Sequence, residues 1–332
     1  MLRILIVRLG SMGDIIHSLP GAVSLKHSFP EARITWVVEP KWVPLLEGNG
    51  FVDRIVVFRR DSPGSWARTK NELRCEPYDL AVDFQGLTKS ALIAHVARPE
   101  RIAGFGSGVV RERPAGLFYS TRVASQAVHV VDQALDLAAG AGASNLVRVF
   151  PLPAGEPEGT LPDTPFALAS PLAGWASKQW PLEYYERIAA MLREKFGMTL
   201  VLNGAPGSVP SVPGTVPHES GISGLIDATR KAAVVIGVDS GPLHLAAALN
   251  KSGVAIYGPT DPLRNGPYGG EFDVFREAGA PTTHRRGSTI AGSMRAITPA
   301  QVFPALAARV KVHAGSAAFS EAAHHGPVRP AR

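Results

Sequence analysis

The sequence has one cysteine and no long apolar run, and both shortages limit what the chain can be. Cys75 is the single cysteine among 332 residues, which excludes an internal disulfide and favours a reducing compartment. No stretch of about 18 apolar residues occurs, and the apolar run after Met1 is too short for a signal peptide. We therefore predict a cytoplasmic chain without a membrane span.

Several common functional motifs are also missing. No spacing of histidine, cysteine and carboxylate residues resembles a metal site, and the sequence has neither a Gly-x-Ser-x-Gly nor a Walker pattern. It has no arginine-rich helix and no basic repeats interleaved with aromatic residues, which argues against nucleic acid as a partner. The net charge of +6 instead favours nucleotides, phosphorylated lipids or a membrane surface.

Short apolar runs alternate with helix-compatible segments along both halves of the chain, and 45% hydrophobic residues allow a large core. The predicted strands are 2–7, 34–38, 55–58, 80–83, 166–169, 199–202, 234–238 and 254–257. Three helices are predicted most clearly. One ends near residue 28, and the other two cover 181–195 and 301–312. This alternation predicts parallel, doubly wound sheets.

A proline-rich segment divides the chain into two halves. Residues 151–165 contain five prolines and two glycines, a composition typical of a linker. We predict an α/β fold with two Rossmann-like domains, 1–155 and 164–312, facing each other across a cleft. The Ala/Gly/Pro-rich tail over 313–332 is expected to be disordered.

The segment 234–250 has the pattern of a buried strand, a tight turn and a helix. The start of such a helix presents backbone N–H groups at the carboxyl edge of a sheet, where phosphate binds well. Asp239 or Ser240 can cap the helix, Gly241 permits close approach of a ligand, and His244 lies in the first turn. Any strand-turn-helix corner favours the same residue types, so a purely structural role is the alternative.

Lys178 lies between Trp175 and Trp180, just before a helix that is predicted to begin at Pro181. A lysine near a helix start is placed to neutralise a diphosphate. Alternatively, both tryptophans belong to the core, and the Lys178 side chain only extends into solvent.

Asp14 follows the glycine turn after the first strand, where a carboxylate can accept a proton from an acceptor hydroxyl. It is the candidate general base, and its alternative role is to cap the first helix. Arg59, Arg60 and Arg111 are candidates for a basic wall that binds a phosphorylated acceptor, or else they are ordinary surface charges.

Five motifs in order resemble the ADP-heptose:lipopolysaccharide heptosyltransferases, and their Ser-Met-Gly-Asp and Asp-Phe-Gln-Gly-Leu-Thr-Lys-Ser forms are most similar to heptosyltransferase I. The motifs are Arg8-Leu-Gly-Ser-Met-Gly-Asp-Ile-Ile-His-Ser-Leu-Pro20, Asp83-Phe-Gln-Gly-Leu-Thr-Lys-Ser90, Trp175-Ala-Ser-Lys-Gln-Trp-Pro181, Val238-Asp-Ser-Gly-Pro-Leu-His-Leu-Ala-Ala-Ala248 and Tyr257-Gly-Pro-Thr-Asp-Pro262. Together they cover the chain from about residue 1 to 310.

The resemblance implies a glycosyltransferase-B fold and an inverting, metal-independent transfer of heptose from ADP-heptose to a Kdo hydroxyl of Kdo-lipid A, with no cofactor. It implies that Asp14 is the base and that Lys178 stabilises the departing diphosphate. The other donor-binding residues it implies are Asp239, Ser240, Gly241, Pro242, Leu243 and His244. The acceptor-binding residues it implies are Ser11, Gly13, Arg59, Arg60 and Arg111. It also implies transient contact with the cytoplasmic face of the inner membrane.

The chain departs from the family pattern at the donor side. Gly204-Ala205-Pro206 matches the family's donor-side loop, but the acidic residue expected soon after it, for the ribose, is replaced by Gly207-Ser208. The next segment, 209–218, is short and proline-rich where a helix is usual. Ala173-Gly174 replace hydroxyl side chains that some members carry before the lysine. These departures bear on the preference for nucleotide base and sugar more than on the type of reaction.

Two other functions remain as alternatives. An NAD-dependent oxidoreductase would use the turn from Gly10 to Gly13 and an acid such as Glu39 at the end of the second strand. The turn lacks the third glycine, however, and Asp14 would repel a pyrophosphate. A non-catalytic sugar-nucleotide binding protein would bind ADP-heptose without turnover. Another core position or a related glycan is the alternative acceptor.

Overall fold

The computed structural model describes residues 1–283 and 286–324, and for 312–324 only the course of the helix. These residues form two compact units. The first contains Met1–Pro157, Ile222–Ile226 and Pro262–Tyr268. The second contains Glu158–Gly221, Asp227–Asp261 and the chain from Gly269 onward. The break after Pro157 falls inside the proline-rich segment, while the predicted domain ranges and the cleft between them stay predictions.

The first unit is built on a parallel six-stranded sheet. Its strands are β1 (Arg3–Val7), β2 (Arg33–Val38), β3 (Arg54–Val57), β4 (Leu80–Asp83), β5 (Arg101–Phe105) and β6 (Thr121–Val123). The helices in this part of the chain are α1 (Met12–Ser28), α2 (Ser65–Leu73), α3 (Thr88–Val96) and α4 (Val130–Gly140). The strand order is β3-β2-β1-β4-β5-β6, so the order reverses between β1 and β4.

The second unit has a parallel six-stranded sheet of the same design. Its strands are β7 (Phe166–Ala169), β8 (Thr199–Gly204), β9 (Thr215–Glu219), β10 (Val234–Val238), β11 (Ser252–Tyr257) and β12 (Glu271–Arg276). The remaining helices along the chain are α5 (Leu182–Phe196), α6 (Ile222–Lys231), α7 (Gly241–Ala248), α8 (Pro262–Asn265), α9 (Gly292–Ala296) and α10 (Pro299–His324). The order β9-β8-β7-β10-β11-β12 reverses between β7 and β10.

The two sheets confirm the predicted α/β class and the Rossmann-like design of both halves. Strands β4, β7 and β10 match their predicted ranges, because each is buried along its whole length and has an apolar sequence. The structure adds β5, β6, β9 and β12, which the sequence analysis did not identify. Three of these four lie at sheet edges, where strands are short or polar. Strand β9 even contains Pro217, which an edge position tolerates.

Outside the strands, one segment agrees with expectation and another differs from it. Residues 205–214 connect β8 to β9 without a helix, in agreement with their proline-rich sequence. The closing helix predicted over 301–312 begins at Pro299 and continues to His324, so it covers part of the tail expected to be disordered. The rest of that prediction concerns 325–332, which lie outside the described residues. No helix within the described ranges is long and apolar enough to cross a membrane.

Candidate active site

Three charged side chains meet at the carboxyl end of β1, and we call Arg8, Asp14 and Arg111 the arginine–aspartate cluster. Oδ1 of Asp14 lies 2.7 Å from Nη2 of Arg8 and 2.9 Å from Nη2 of Arg111. Oδ2 of Asp14 accepts a hydrogen bond from the backbone N–H of Ser11 at 3.3 Å. Asp14 therefore caps the start of α1, and its side chain, 26% exposed, is also open to solvent. Its two predicted roles are compatible.

Arg8 is the buried member of this cluster, with a side chain only 5% exposed. Its Nη1 donates to the carbonyl oxygen of Phe84 at 2.5 Å, which ties the end of β1 to the end of β4. Burial lowers the pKa of Arg8 to about 10, although the nearby Asp14 carboxylate opposes this shift. The guanidinium stays charged near neutral pH and therefore needs Asp14 as a partner. The sequence analysis did not single out Arg8; an arginine directly after a buried strand was the available signal.

The pKa of Asp14 reflects two opposing effects. Burial raises it, but the charges of Arg8 and Arg111 outweigh burial and hold the pKa well below its usual range. The carboxylate is thus ionised at neutral pH, and its affinity for a proton is low while both guanidinium groups contact it. Diverting one of them to a bound anion would raise that affinity.

Asp83 organises the loops that surround the cluster from a fully buried position. Its carboxylate accepts hydrogen bonds from the backbone N–H groups of Gln85 at 2.8 Å and Gly86 at 3.2 Å. It also accepts from the hydroxyls of Ser90 at 2.8 Å and Tyr119 at 2.6 Å. Burial raises the pKa of Asp83, and these hydrogen bonds oppose the increase. Such a network fixes the loop after β4 in one conformation.

Arg111 is positioned by contacts between its loop and the start of α3. Gly86 has a φ of +70°, and a Cβ there would lie 3.3 Å from the backbone nitrogen of Arg111, so glycine allows a close approach of the two loops. The N–H of Glu112 donates to the carbonyl of Gly86 at 3.0 Å. The Glu112 carboxylate accepts from the N–H of Thr88 at 2.8 Å. Arg111 therefore reaches Asp14 from a fixed backbone.

Arg59 and Arg60 follow the edge strand β3 and are not part of the cluster. Nη2 of Arg60 lies 2.6 Å from Oε1 of Glu39, an ion pair at the exposed surface. Among the described residues, no ion pair joins Arg59 or Arg60 to Asp14. The structure thus brings Ser11 and Arg111 to Asp14 but not the other two arginines.

A second group of charged side chains lies in the second unit, and we call Lys178, Asp239 and His244 the lysine–aspartate cluster. Lys178 follows β7 in a short 3-10 helix, Asp239 follows β10, and His244 lies in the first turn of α7. Nζ of Lys178 is 2.5 Å from Oδ2 of Asp239, and Nε2 of His244 is 3.4 Å from Oδ1. Burial raises the pKa of Asp239, but His244 and Lys178 outweigh it and hold the pKa well below its usual range.

The two tryptophans beside Lys178 have different roles. Nζ of Lys178 lies 4.3 Å from the centre of the Trp175 ring, a cation–π contact. Trp180 is fully buried in the core, and its Nε1 donates to the carbonyl of Ile297 at 2.8 Å. Trp175 therefore contacts the lysine, whereas the alternative of a core tryptophan applies to Trp180.

The start of α7 has the backbone of an anion site. Ser240 is the N-cap in an extended conformation, and Gly241 and Pro242 form the first turn. The N–H groups of Leu243 and His244 donate to the Ser240 carbonyl at 3.2 and 3.4 Å. Because proline has no N–H, the N–H groups that this helix start can offer a ligand are those of Ser240 and Gly241. The Ser240 hydroxyl is buried and lacks a hydrogen-bond partner among the described residues.

Each cluster lies at the carboxyl end of its sheet, where the strand order reverses. In open α/β sheets this is the position where ligands bind. A lysine beside a helix start suits a diphosphate, and within the described ranges no group of three His, Cys, Asp or Glu residues is placed to hold a metal ion. Two doubly wound units with these sites define the architecture of a glycosyltransferase of the GT-B type.

The chain belongs to glycosyltransferase family 9, the heptosyltransferases, whose family model matches residues 66–291. It is 29% identical over 310 residues to lipopolysaccharide heptosyltransferase 1 of Escherichia coli K12, covering 83% of this chain and 93% of that protein. It is 28% identical over 298 residues to the enzyme of the same name from Pseudomonas aeruginosa, covering 81% and 82%.

Solved structures agree with this assignment. Escherichia coli heptosyltransferase WaaC with ADP has a TM-score of 0.74 and 25% identity, covering 93% of this chain and 100% of the other. The structure of E. coli ADP-heptose lipopolysaccharide heptosyltransferase II has a TM-score of 0.76 at 20% identity, covering 93% and 98%, and supports the fold alone.

Proposed function

We propose that this chain transfers L-glycero-D-manno-heptose from ADP-heptose to a Kdo hydroxyl of Kdo-lipid A, with inversion at the anomeric carbon and without a metal. The lysine–aspartate cluster at the start of α7 carries this proposal, together with membership of a heptosyltransferase family. The E. coli K12 and P. aeruginosa relatives described above are both named lipopolysaccharide heptosyltransferase 1, which supports a heptosyltransferase that acts in the lipopolysaccharide core.

The second unit holds the donor in this proposal. The diphosphate lies at the start of α7, where the N–H groups of Ser240 and Gly241 and the ammonium of Lys178 neutralise it. As the glycosidic bond to ADP breaks, negative charge grows on the leaving phosphate, and a fixed lysine stabilises that charge without a metal. Asp239 orients Lys178 through their ion pair, and His244 and Asp239 contact the sugar or the phosphate.

The first unit holds the acceptor, and Asp14 removes the proton from the attacking hydroxyl. The contact with Arg8 fixes the direction of the carboxylate. Kdo-lipid A carries carboxylate and phosphate groups, and an anion that takes up Arg111 would raise the pKa of Asp14 and make it a better base. Ser11, Gly13, Arg59 and Arg60 provide further acceptor contacts.

The acceptor is a lipid, so the protein must work at the cytoplasmic face of the inner membrane. The net charge of +6 supports contact with an anionic surface. We propose a peripheral, transient association, with no nucleic acid partner and no cofactor.

The test is turnover with purified ADP-heptose and a delipidated Kdo acceptor in the presence of a chelator. The expected result is a heptosylated product, identified by mass, together with ADP. ADP-heptose binding without product would identify a sugar-nucleotide binding protein. Product formation that requires an added divalent metal would contradict metal independence.

A further inference from the structure

An exposed carboxylate without a protein partner lies at the carboxyl edge of the second sheet. Glu219 is the last residue of β9, and in the described part of the chain no hydrogen bond or ion pair engages its side chain. Two other acids near this edge are engaged: Asp239 by Lys178, and Glu158 by the N–H of Gly221 at 2.6 Å. Glu219 is therefore available for a ligand.

The register of the sheet determines which face Glu219 occupies. Glu219 pairs with Gly204, and His218 pairs with Asn203, in parallel strands. The buried His218 ring meets the Asn203 side chain at 3.0 Å on one face. Because side chains alternate along a strand, Glu219 projects to the other face, beside Gly204, which has no side chain. Strand β8 lies between β9 and β7, so β9 and β7 are about 10 Å apart. Glu219 at the end of β9 is therefore about that far from the end of β7, after which the chain continues to Lys178.

A nucleotide bound at such an edge needs an acceptor for its ribose hydroxyls. In a Rossmann half, an acid at the end of the second strand takes this role. The second strand here is β8, and Ala205–Ser208, which follow it, include no acid. The Ser208 hydroxyl donates to the carbonyl of Ala205 at 2.7 Å, which holds it against its own loop. The neighbouring strand β9 supplies the carboxylate that β8 lacks.

We propose that Glu219 binds the ribose of the donor nucleotide, with its carboxylate accepting hydrogen bonds from the 2′- and 3′-hydroxyls. This inference rests on the proposed function. The diphosphate then lies at the lysine–aspartate cluster, and the nucleoside lies over the β8–β9 side. At a separation of about 10 Å, repulsion between Glu219 and the diphosphate is largely screened.

The test compares ADP with 2′,3′-dideoxy-ADP by calorimetry on the full chain. The wild type is expected to bind ADP about 10- to 100-fold more tightly, the range for hydrogen bonds to a charged group. Glu219→Gln is expected to lose most of this preference, because its affinity for ADP falls while its affinity for 2′,3′-dideoxy-ADP stays the same. Glu194→Gln, an exposed acid on α5 of the same unit, is the matched control and keeps the preference. Thermal denaturation verifies that each variant is folded.

The outcomes separate this inference from the proposed function. If Glu219→Gln keeps the wild-type preference, or the wild type has none, the role of Glu219 is wrong, while heptose transfer by the wild type would leave the proposed function intact. If the wild type binds neither nucleotide and forms no heptosylated product, both are wrong.

Discussion

Lys178→Met separates the structural role of the lysine from its role toward the donor. The substitution removes the charge, keeps an unbranched side chain and shortens it by one heavy atom. Asp239, only 4% exposed, would then lose the lysine charge while keeping its 3.4 Å contact with Nε2 of His244. The variant therefore tests what a lysine at 2.5 Å from a buried carboxylate contributes to stability and to binding.

The expected cost follows from burial. Breaking a buried ion pair by removing one partner costs about 3–5 kcal/mol, because the other charge stays buried. Nε2 of His244, 3.4 Å from the carboxylate, remains as a polar contact, so we expect a loss of about 2–4 kcal/mol, seen as a fall in Tm of roughly 5–15 °C for a unit of this size. Loss of a lysine–phosphate contact should weaken ADP binding by about 10- to 100-fold.

The double variant Lys178→Met/Asp239→Asn distinguishes the two effects. Removing both charges leaves no buried ion, so stability should return close to that of the wild type. ADP affinity should stay low, because the cation is still missing. Thermal denaturation and calorimetric ADP titration measure the two quantities on the same samples. Recovery of both stability and affinity in the double variant would refute a direct contact between Lys178 and the diphosphate.

Further predictions concern charge and packing around the two clusters. The stabilisation from ionised Asp239 is complete above its unfolded pKa of about 3.9 and is lost as the pH falls toward the lower folded pKa. Without Lys178 the folded pKa lies closer to the unfolded one, so the acid loss of stability in melts recorded from pH 3 to 7 should be smaller in Lys178→Met than in the wild type. Arg111→Ala should raise the pKa of Asp14 and therefore move the acid limb of the kcat/KM profile to higher pH, whereas Arg60→Ala should leave that limb in place. Identical pH profiles for the two variants would contradict the contact of Arg111 with Asp14. Tyr119→Phe removes a 2.6 Å hydrogen bond to the buried Asp83 and should lower the free energy of unfolding by about 1–3 kcal/mol. An unchanged midpoint of denaturant unfolding would argue against the Asp83 network.

Most central strands could be predicted from the sequence, whereas three of the four edge strands, β6, β9 and β12, could not. Val234–Val238 is apolar along its whole length because helices cover both faces of a parallel strand. Strand β9 contains a proline, a histidine and a glutamate, and only its pairing with β8 makes it a strand. The prediction therefore found the central strands except β5 and, of the edge strands, found β3.

The candidate site was predictable where local pattern determines it. Asp14, Asp239 and His244 follow or begin elements that the sequence identifies, so their positions at a sheet edge could be inferred. The contact of Asp14 with Arg111 spans 97 positions and depends on the loop after β5, a strand that the sequence analysis missed. Glu219 required the register of β8 and β9, which no local pattern contains.

The most direct test of the central claim is turnover by Asp14→Asn in the assay with ADP-heptose and a Kdo acceptor. Asparagine keeps the size of the side chain and cannot accept the proton, so kcat should fall by about 10²- to 10⁴-fold while ADP affinity stays near that of the wild type. Thermal denaturation establishes that the variant is folded despite the unpaired Arg8. Turnover close to the wild-type value would contradict the role of Asp14 as the base.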